Sequence, residues 1–168
     1  MKRIIVFSSV VVLALLLPCA LFIPYQKDVN LALAGYCCDL QNTSEYHEAQ
    51  ISIKGTAKCR LLGLIEFDGS IIIEDTLHPV SMDAVYIQFG NGLGQVSSYE
   101  NSAQLGSYSY VGYICTADFT KLLFVFYDEN SEVKYQRYYV APVENAEEAV
   151  VLAEQLSDGT ILSSIKWN

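Results

Sequence analysis

Apolar and polar residues alternate along most of the chain, and this period of two residues is typical of β-strands that bury one face. The alternation predicts about seven or eight strands, which lie within the segments 31–40, 47–58, 61–74, 83–89, 93–99, 106–115, 120–127 and 132–140. The segment 161–167 is expected to form a short tail or a closing strand. Because short polar segments separate the strands, the pattern predicts a mainly β fold, an antiparallel barrel or sandwich.

Asn91-Gly92 lies between two of the predicted strands and is a strong hairpin signal, because both residues accept a positive φ. We therefore expect 93–99 to pair back on 83–89. The glycines from Gly90 to Gly94 do not indicate a phosphate-binding loop. Such a loop leads into a helix, whereas the segment that follows here is strand-like.

Two segments depart from simple alternation. The run 122–126 reads LLFVF and is apolar at every position, which predicts a strand covered on both faces. A helix is predicted over 146–156, where Asn145 and Glu148 have the spacing of a capping box and Gly159 provides a stop. Its apolar stripe is expected to cover an open end or a face of the sheet.

The apolar stretch 4–23 has the length of a membrane-spanning helix. It contains no charged residue, and a helix of that length rises about 30 Å, the thickness of a bilayer's hydrocarbon core. Lys2 and Arg3 precede it, and positive flanking residues stay on the cytoplasmic side. The rest of the chain is therefore expected outside the cytoplasm, at the cell membrane.

A cleaved signal peptide and a lipoprotein signal also place the domain outside the cytoplasm. The small-residue cleavage sites are poorly placed, because one lies at 32–34 within the first predicted strand and the other contains Pro18. Lipidation of Cys19 would require small residues before it, where this chain has Leu17-Pro18. We therefore expect an uncleaved anchor over 1–23, a juxtamembrane spacer over 24–30 and an extracytoplasmic domain over 31–168.

Charge narrows the range of partners. Residues 24–168 carry eight basic and nineteen acidic side chains, a net charge of −11. Nucleic acid and anionic lipid both require a positive surface, so the charge disfavours both as partners of the domain. A chain of 168 residues is also long enough to build one domain with a real core.

Four cysteines lie outside the anchor: Cys37, Cys38, Cys59 and Cys115. They allow two disulfides in three possible pairings, or they are free buried thiols. Cys37 and Cys38 are neighbours on a strand and point to opposite faces, so they are not expected to bond to each other. The ligand spacing of a zinc site is missing, and no metal or other cofactor is predicted.

The tyrosines are the candidates for ligand binding. Tyr108 and Tyr110 share one face of a predicted strand, with Tyr113 on the opposite face, and Tyr135 and Tyr139 share one face of another strand. If exposed, they would form an aromatic platform for a saccharide or a peptide. The alternative is ordinary cross-strand packing.

No residue is predicted to be catalytic. His47 and His78 are the only histidines, and neither lies in a known nucleophile motif. A hydrolase would need one of them in a concave pocket beside a nucleophile or an acid. Whether the protein is an enzyme is left open.

Several short motifs resemble those of small, uncharacterised, single-span bacterial membrane proteins. They lie at 51–56, 67–73, 111–114 and 117–119, and Ala141-Pro142 precedes an Ala/Glu-rich helix in the same way. The resemblance implies an anchored, β-rich extracytoplasmic domain and brings no catalytic residues.

The sequence thus predicts a membrane-anchored extracytoplasmic binding module whose partner is a protein or a saccharide. Two alternatives remain: a cell-surface hydrolase with an unrecognised site, and a subunit of a membrane assembly that meets its partner through the transmembrane helix.

Overall fold

Eight antiparallel strands form a closed barrel in which each strand pairs with its neighbours in sequence and the last strand returns to the first. The computed structural model describes residues 22–40, 46–61, 63–100, 107–127 and 135–167. The strands are β1 (Tyr25–Asp39), β2 (Tyr46–Arg60), β3 (Gly63–Asp75), β4 (Val80–Gly90), β5 (Leu93–Glu100), β6 (Ser107–Cys115), β7 (Leu122–Tyr127) and β8 (Tyr135–Ala141). Helix α1 (Ala146–Ser157) follows β8. The predicted mainly β fold with a C-terminal helix is confirmed, and it is a barrel.

Two predicted boundaries differ from the structure. The spacer expected over 24–30 is, from Tyr25 onward, the first part of β1 and pairs with β2. Val29 is the only one of these residues that is buried, so the segment lacks the alternation by which a strand is recognised. The closing strand considered for 161–167 is instead a 3-10 turn, Ile161–Ser164, capped by the Thr160 side chain.

The predicted anchor lies almost entirely outside the described residues, which include only its last two positions, Phe22 and Ile23. Within the described ranges, no helix is both long enough and apolar enough to span a bilayer.

Apolar side chains occupy the barrel interior, as expected for eight strands, whose lumen is just wide enough for side chains to fill. Close approach is needed where Gly55 pairs with Gly69, because a Cβ atom on Gly55 would lie 2.2 Å from the carbonyl oxygen of Asp68. The ring of Phe67 packs against this glycine pair. The largest fully buried interior side chains include Phe67, Phe119, Phe124, Ile51, Ile53, Ile71, Ile73, Ile87 and Tyr139.

The β6–β7 connection places Phe119 inside the barrel. Its φ of 68° lies in the left-handed region, which costs a bulky residue about 1–2 kcal/mol. The Phe119 amide donates to Thr116 Oγ1 at 2.8 Å, and the ring lies 5.0 Å from Phe67 and 5.9 Å from Phe89. Full burial of the ring and the two aromatic contacts offset the backbone strain.

Helix α1 packs on the outer face of β7, β8 and β1 and forms a second apolar layer with it. The expectation that β7 is covered on both faces is confirmed: Leu122 and Phe124 face the interior, while Leu123 and Val125 lie in the outer layer. This layer is completed by Ala149, Leu152, Ala153, Leu162 and Trp167.

The helix cap agrees with the predicted capping box in one bond and differs in the other. Asn145 Oδ1 accepts from the amide of Glu148 at 2.9 Å. Glu148 Oε2 accepts from the amide of Glu144 at 3.0 Å, one residue before the cap, and not from the amide of Asn145 itself.

We call the end of the barrel at which β1 begins the proximal end. It also holds the β2–β3 turn, the β4–β5 turn and the loop 116–121. The predicted Asn-Gly hairpin lies here, with φ of 53° at Asn91 and 78° at Gly92, and Gly90 pairs with Leu93. The opposite, distal end holds the β3–β4 loop, 76–79.

Candidate functional site

The four predicted ligand-binding tyrosines do not form one platform. Tyr139 is fully buried in the barrel interior. Its hydroxyl lies 3.3 Å from Asp75 Oδ2 and 3.2 Å from the carbonyl oxygen of His78. The side chains of Tyr108 and Tyr135 lie outside the described part of the structure. Tyr110 is half-buried on the outer wall.

Register shifts explain why alternation misplaces some of these residues. Val96 pairs with Gly112 but Ser97 pairs with Tyr110, so Val111 is an extra residue in β6. Tyr113 was predicted to face away from Tyr110, and this is wrong, because the two rings lie 5.5 Å apart. Such a bulge reverses the facing of every residue beyond it. A second register shift occurs between β7 and β8, at Val125 and Tyr127.

A band of tyrosine and glutamine side chains crosses the outer face of β4, β5, β6 and β7, and we call it the tyrosine wall. In one row Tyr86 pairs with Ser97, which pairs with Tyr110; in the next row Gln88 pairs with Gln95, which pairs with Tyr113. The ring of Tyr110 also lies 5.1 Å from that of Tyr127. The wall is therefore made of Tyr86, Gln88, Gln95, Ser97, Tyr110, Tyr113 and Tyr127.

Strand spacing fixes the dimensions of the wall. Neighbouring strands lie about 4.8 Å apart, so the backbones of Tyr86 and Tyr110 are about 10 Å apart with Ser97 between them. The side chain of Ser97 is much smaller than the two tyrosines that flank it. Gln88 and Gln95 are exposed beside it, and each amide offers two N–H donors and a carbonyl acceptor.

The wall carries no charge. The segments 84–99 and 107–115, which supply most of β4, β5 and β6, contain no Asp, Glu, Lys or Arg, although 17% of the whole chain is charged. Sequence reasoning overlooked Tyr86, Gln88 and Gln95 because each lies in a regular strand. An uncharged segment rich in Tyr and Gln was the available signal.

A second polar group lies inside the barrel near the distal end. Cys37 of β1 pairs with His47 of β2 on one side and with Tyr139 of β8 on the other. Asp75, only 6% exposed, ends β3 beside them. Its Oδ1 accepts from the amide of Leu77 at 2.9 Å, and the Cys37 thiol is within hydrogen-bonding reach of both Asp75 and Tyr139.

The environment of this buried group sets its protonation. Burial raises the pKa of Asp75, but hydrogen bonds from Leu77, Cys37 and His78 and the charge of His47 outweigh it, so the net pKa is lowered. Burial is also the main cause that raises the pKa of Cys37, to about 12. Asp75 is therefore ionised at neutral pH while Cys37 is a thiol, and a thiol is a poor nucleophile.

The two histidines differ in position. His78 is exposed on the β3–β4 loop. His47 is half-buried next to Cys37, close enough for its charge to act on Asp75. A Cys–His–Asp group is thus brought together, but Cys37 is 1% exposed as well as protonated. The arrangement is suited to closing the distal end of the barrel, because the carboxylate holds the first turn of the β3–β4 loop.

The four cysteines of the domain are free buried thiols, which decides between the two alternatives left open by the sequence. Cys37 and Cys59 lie in the interior cluster, while Cys38 and Cys115 lie in the outer layer beneath α1. Cys37 and Cys38 do point to opposite faces of β1, as predicted. Among the described side chains, no group of three or more His, Cys, Asp or Glu is placed to hold a metal ion.

No protein-family model, curated protein or solved structure matches the chain.

Proposed function

We propose that this chain is a membrane-anchored extracytoplasmic binding module that holds a neutral saccharide on the tyrosine wall. The observation that carries the proposal is the absence of charge from 84–99 and 107–115, which supply most of three neighbouring strands in a domain that is otherwise strongly acidic. An acidic surface keeps the protein soluble, so a large neutral face needs a different explanation.

The chemistry of the wall matches that of a sugar. Aromatic rings present flat faces to the C–H bonds of a pyranose, and side-chain amides donate to and accept from its hydroxyl groups. The small side chain of Ser97, between Tyr86 and Tyr110, leaves room for one sugar ring. A charged polymer would gain no ion pair on this surface.

The location of the module follows from the sequence. The apolar stretch 4–23 and the preceding Lys2 and Arg3 support an anchor with the barrel outside the cytoplasm. A protein held in this position meets the saccharides of the cell envelope.

The proposal is tested by titrating the full-length chain in detergent micelles with cellohexaose and chitohexaose, and with hexagalacturonate as the acidic comparison. Gln95→Ala and Tyr86→Ala should each weaken binding of the neutral oligosaccharides by roughly tenfold, the effect of losing one good hydrogen bond or ring contact. Gln50→Ala removes an equally exposed amide from the outer face of β2 and should change nothing.

Failure of both neutral oligosaccharides to bind would contradict the proposal. So would binding that is unchanged in Gln95→Ala and Tyr86→Ala, or that is lost equally in Gln50→Ala.

A further inference from the structure

The tip of the β2–β3 turn is apolar where hairpin turns are ordinarily polar. Arg60 pairs with Gly63, which leaves Leu61 at the tip, followed in the sequence by Leu62. Leu61 is 68% exposed. Tight hairpin turns favour Asn, Asp and Gly, and the β4–β5 turn at the same end follows that rule with Asn91-Gly92. The turn itself therefore does not explain the exposed Leu61.

The register of β1 with β2 brings Leu61 to the same end of the barrel as the end of the apolar stretch. Tyr25 pairs with Cys59, Ile23 comes two residues before Tyr25, and Leu61 comes two residues after Cys59. Phe22 and Ile23 are 66% and 64% exposed, and Tyr25 is 52% exposed. Exposed apolar side chains from the start of β1 and from the β2–β3 turn thus lie at the proximal end.

No spacer separates this end from the apolar stretch. The stretch ends at Ile23, and β1 begins at Tyr25 with only Pro24 between them. If the stretch crosses a bilayer, the proximal end of the barrel cannot stand away from the lipid surface. Tyr25 then lies at the level of the headgroups, where tyrosine is enriched in membrane proteins.

Charge is distributed unevenly over the domain. The two segments beside the β2–β3 turn, 25–28 and 58–66, contain three basic and two acidic residues. The rest of the domain has five basic and seventeen acidic residues. The net charge of −11, which disfavours anionic lipid for the domain as a whole, is therefore located away from this turn.

Two of the cations beside this turn are partly neutralised. Lys58 lies 3.4 Å from Glu66, and Lys27 acts on Asp118. Across the described part of the chain, no salt bridge involves Arg60. Arg60 comes directly before Leu61, so a cation and an apolar side chain adjoin at the tip of the turn.

We propose that the proximal end rests on an anionic bilayer surface, with Leu61 inserted below the headgroups and Arg60 at the lipid phosphates. The occupant is a lipid surface because the apolar stretch ends at this level and the local charge is complementary to phosphate. The inference rests on the anchor of the proposed function but does not depend on saccharide binding. In this arrangement the barrel stands upright on the membrane, and its distal end points away from the bilayer.

The test uses the full-length chain reconstituted in phosphatidylcholine vesicles that contain phosphatidylglycerol and lipids brominated near the carbonyl groups. Tryptophan replaces one of two exposed leucines: Leu61→Trp at the proximal end, or Leu77→Trp at the distal end, where the leucine is 56% exposed. Trp167 is buried and gives the same background in both. We expect brominated lipid to remove most of the added fluorescence in Leu61→Trp and none in Leu77→Trp.

A second variant tests the role of charge. Arg60→Glu, combined with Leu61→Trp, should reduce quenching in vesicles that contain phosphatidylglycerol and leave it unchanged in phosphatidylcholine alone. Lys54→Glu, which reverses an exposed charge in the middle of β2, should have no such effect.

Co-flotation with the vesicles separates this inference from the anchor. If the chain floats and Leu61→Trp is quenched no more than Leu77→Trp, the inference is overturned while the anchor stands. If the chain does not float, the anchor and the inference both fall, and saccharide binding by the wall is still measured independently in micelles.

Discussion

At the scale of single residues, the most unusual feature is a charged carboxylate inside an apolar barrel. Asp75 is tolerated there because an amide, a phenol and a thiol surround it with donors. A buried carboxylate without such partners would be strongly destabilising. The carboxylate, the phenol and the thiol come from three different strands, β3, β8 and β1, so the site exists only when the barrel is closed.

Asp75 should make the stability of the protein depend on pH in the acid range. Its pKa is lower in the folded chain than the value of about 3.9 typical of an unfolded chain. The stabilisation is therefore present above about pH 4 and is lost as the pH falls through the folded pKa. We expect the free energy of unfolding, measured with urea in micelles, to fall over this window, and to fall less steeply in Asp75→Asn.

Glu74→Gln is the matched control, since Glu74 is an exposed carboxylate next to Asp75. It should leave the acid limb of the stability curve as in the unmodified chain. Identical curves for Asp75→Asn and the unmodified chain would show that the hydrogen bonds to the carboxylate do not favour its ionised form.

At the scale of elements, helix α1 is held on the barrel by its apolar face. Leu152 is 8% exposed against the outer wall of β7, β8 and β1, while the adjacent Val151 is 52% exposed. The C-terminal segment closes over the same layer: Trp167 Nε1 donates to Ser157 Oγ at 3.0 Å, and its ring lies 4.9 Å from Tyr138. The helix is therefore part of the core.

Leu152→Ala should reduce the free energy of unfolding by about 2–4 kcal/mol, the usual effect of truncating a buried leucine. Val151→Ala, one residue away on the exposed face, should change it by less than about 0.5 kcal/mol. Urea titration followed by circular dichroism measures both. Equal effects of the two substitutions would mean that α1 is not docked on the barrel wall.

At the scale of the whole molecule, barrel closure and the packing of α1 on the outer wall together bury both faces of β7 and all four thiols of the domain. Burial is the largest cause that raises the pKa of Cys38 to about 11 and of Cys115 to about 12. A cysteine reacts as its thiolate, and these buried side chains are almost entirely protonated at neutral pH. Burial also shields them from reagents. They should therefore report on unfolding of the barrel.

We expect Cys37, Cys38, Cys59 and Cys115 to resist a maleimide in the native chain and to react together in denaturant, as counted by mass spectrometry of peptides. A reducing agent should leave the unfolding temperature unchanged, because no disulfide is present among them. Rapid native labelling of any one of the four, or a lower unfolding temperature on reduction, would contradict this arrangement.

The sequence by itself determined the elements whose signals are local. Alternation located the strands, Asn91-Gly92 located a hairpin, and the run 122–126 identified a strand buried on both sides. These predictions are correct because an alternation of apolar and polar residues and a positive φ both depend only on residues that are close together in the sequence. The anchor prediction over 4–23 is likewise local and stays a prediction.

Only the tertiary structure decided which residues meet. The bulge in β6 brings Tyr113 to the same face as Tyr110, and no local signal announces such an extra residue. The start of β1 is a strand because β2 pairs with it, although its own residues are mostly polar. The tyrosine wall, the Asp75 group and the position of Leu61 all depend on pairing between segments that are far apart in the sequence. The residues of a single strand do not reveal which other strand will pair with it.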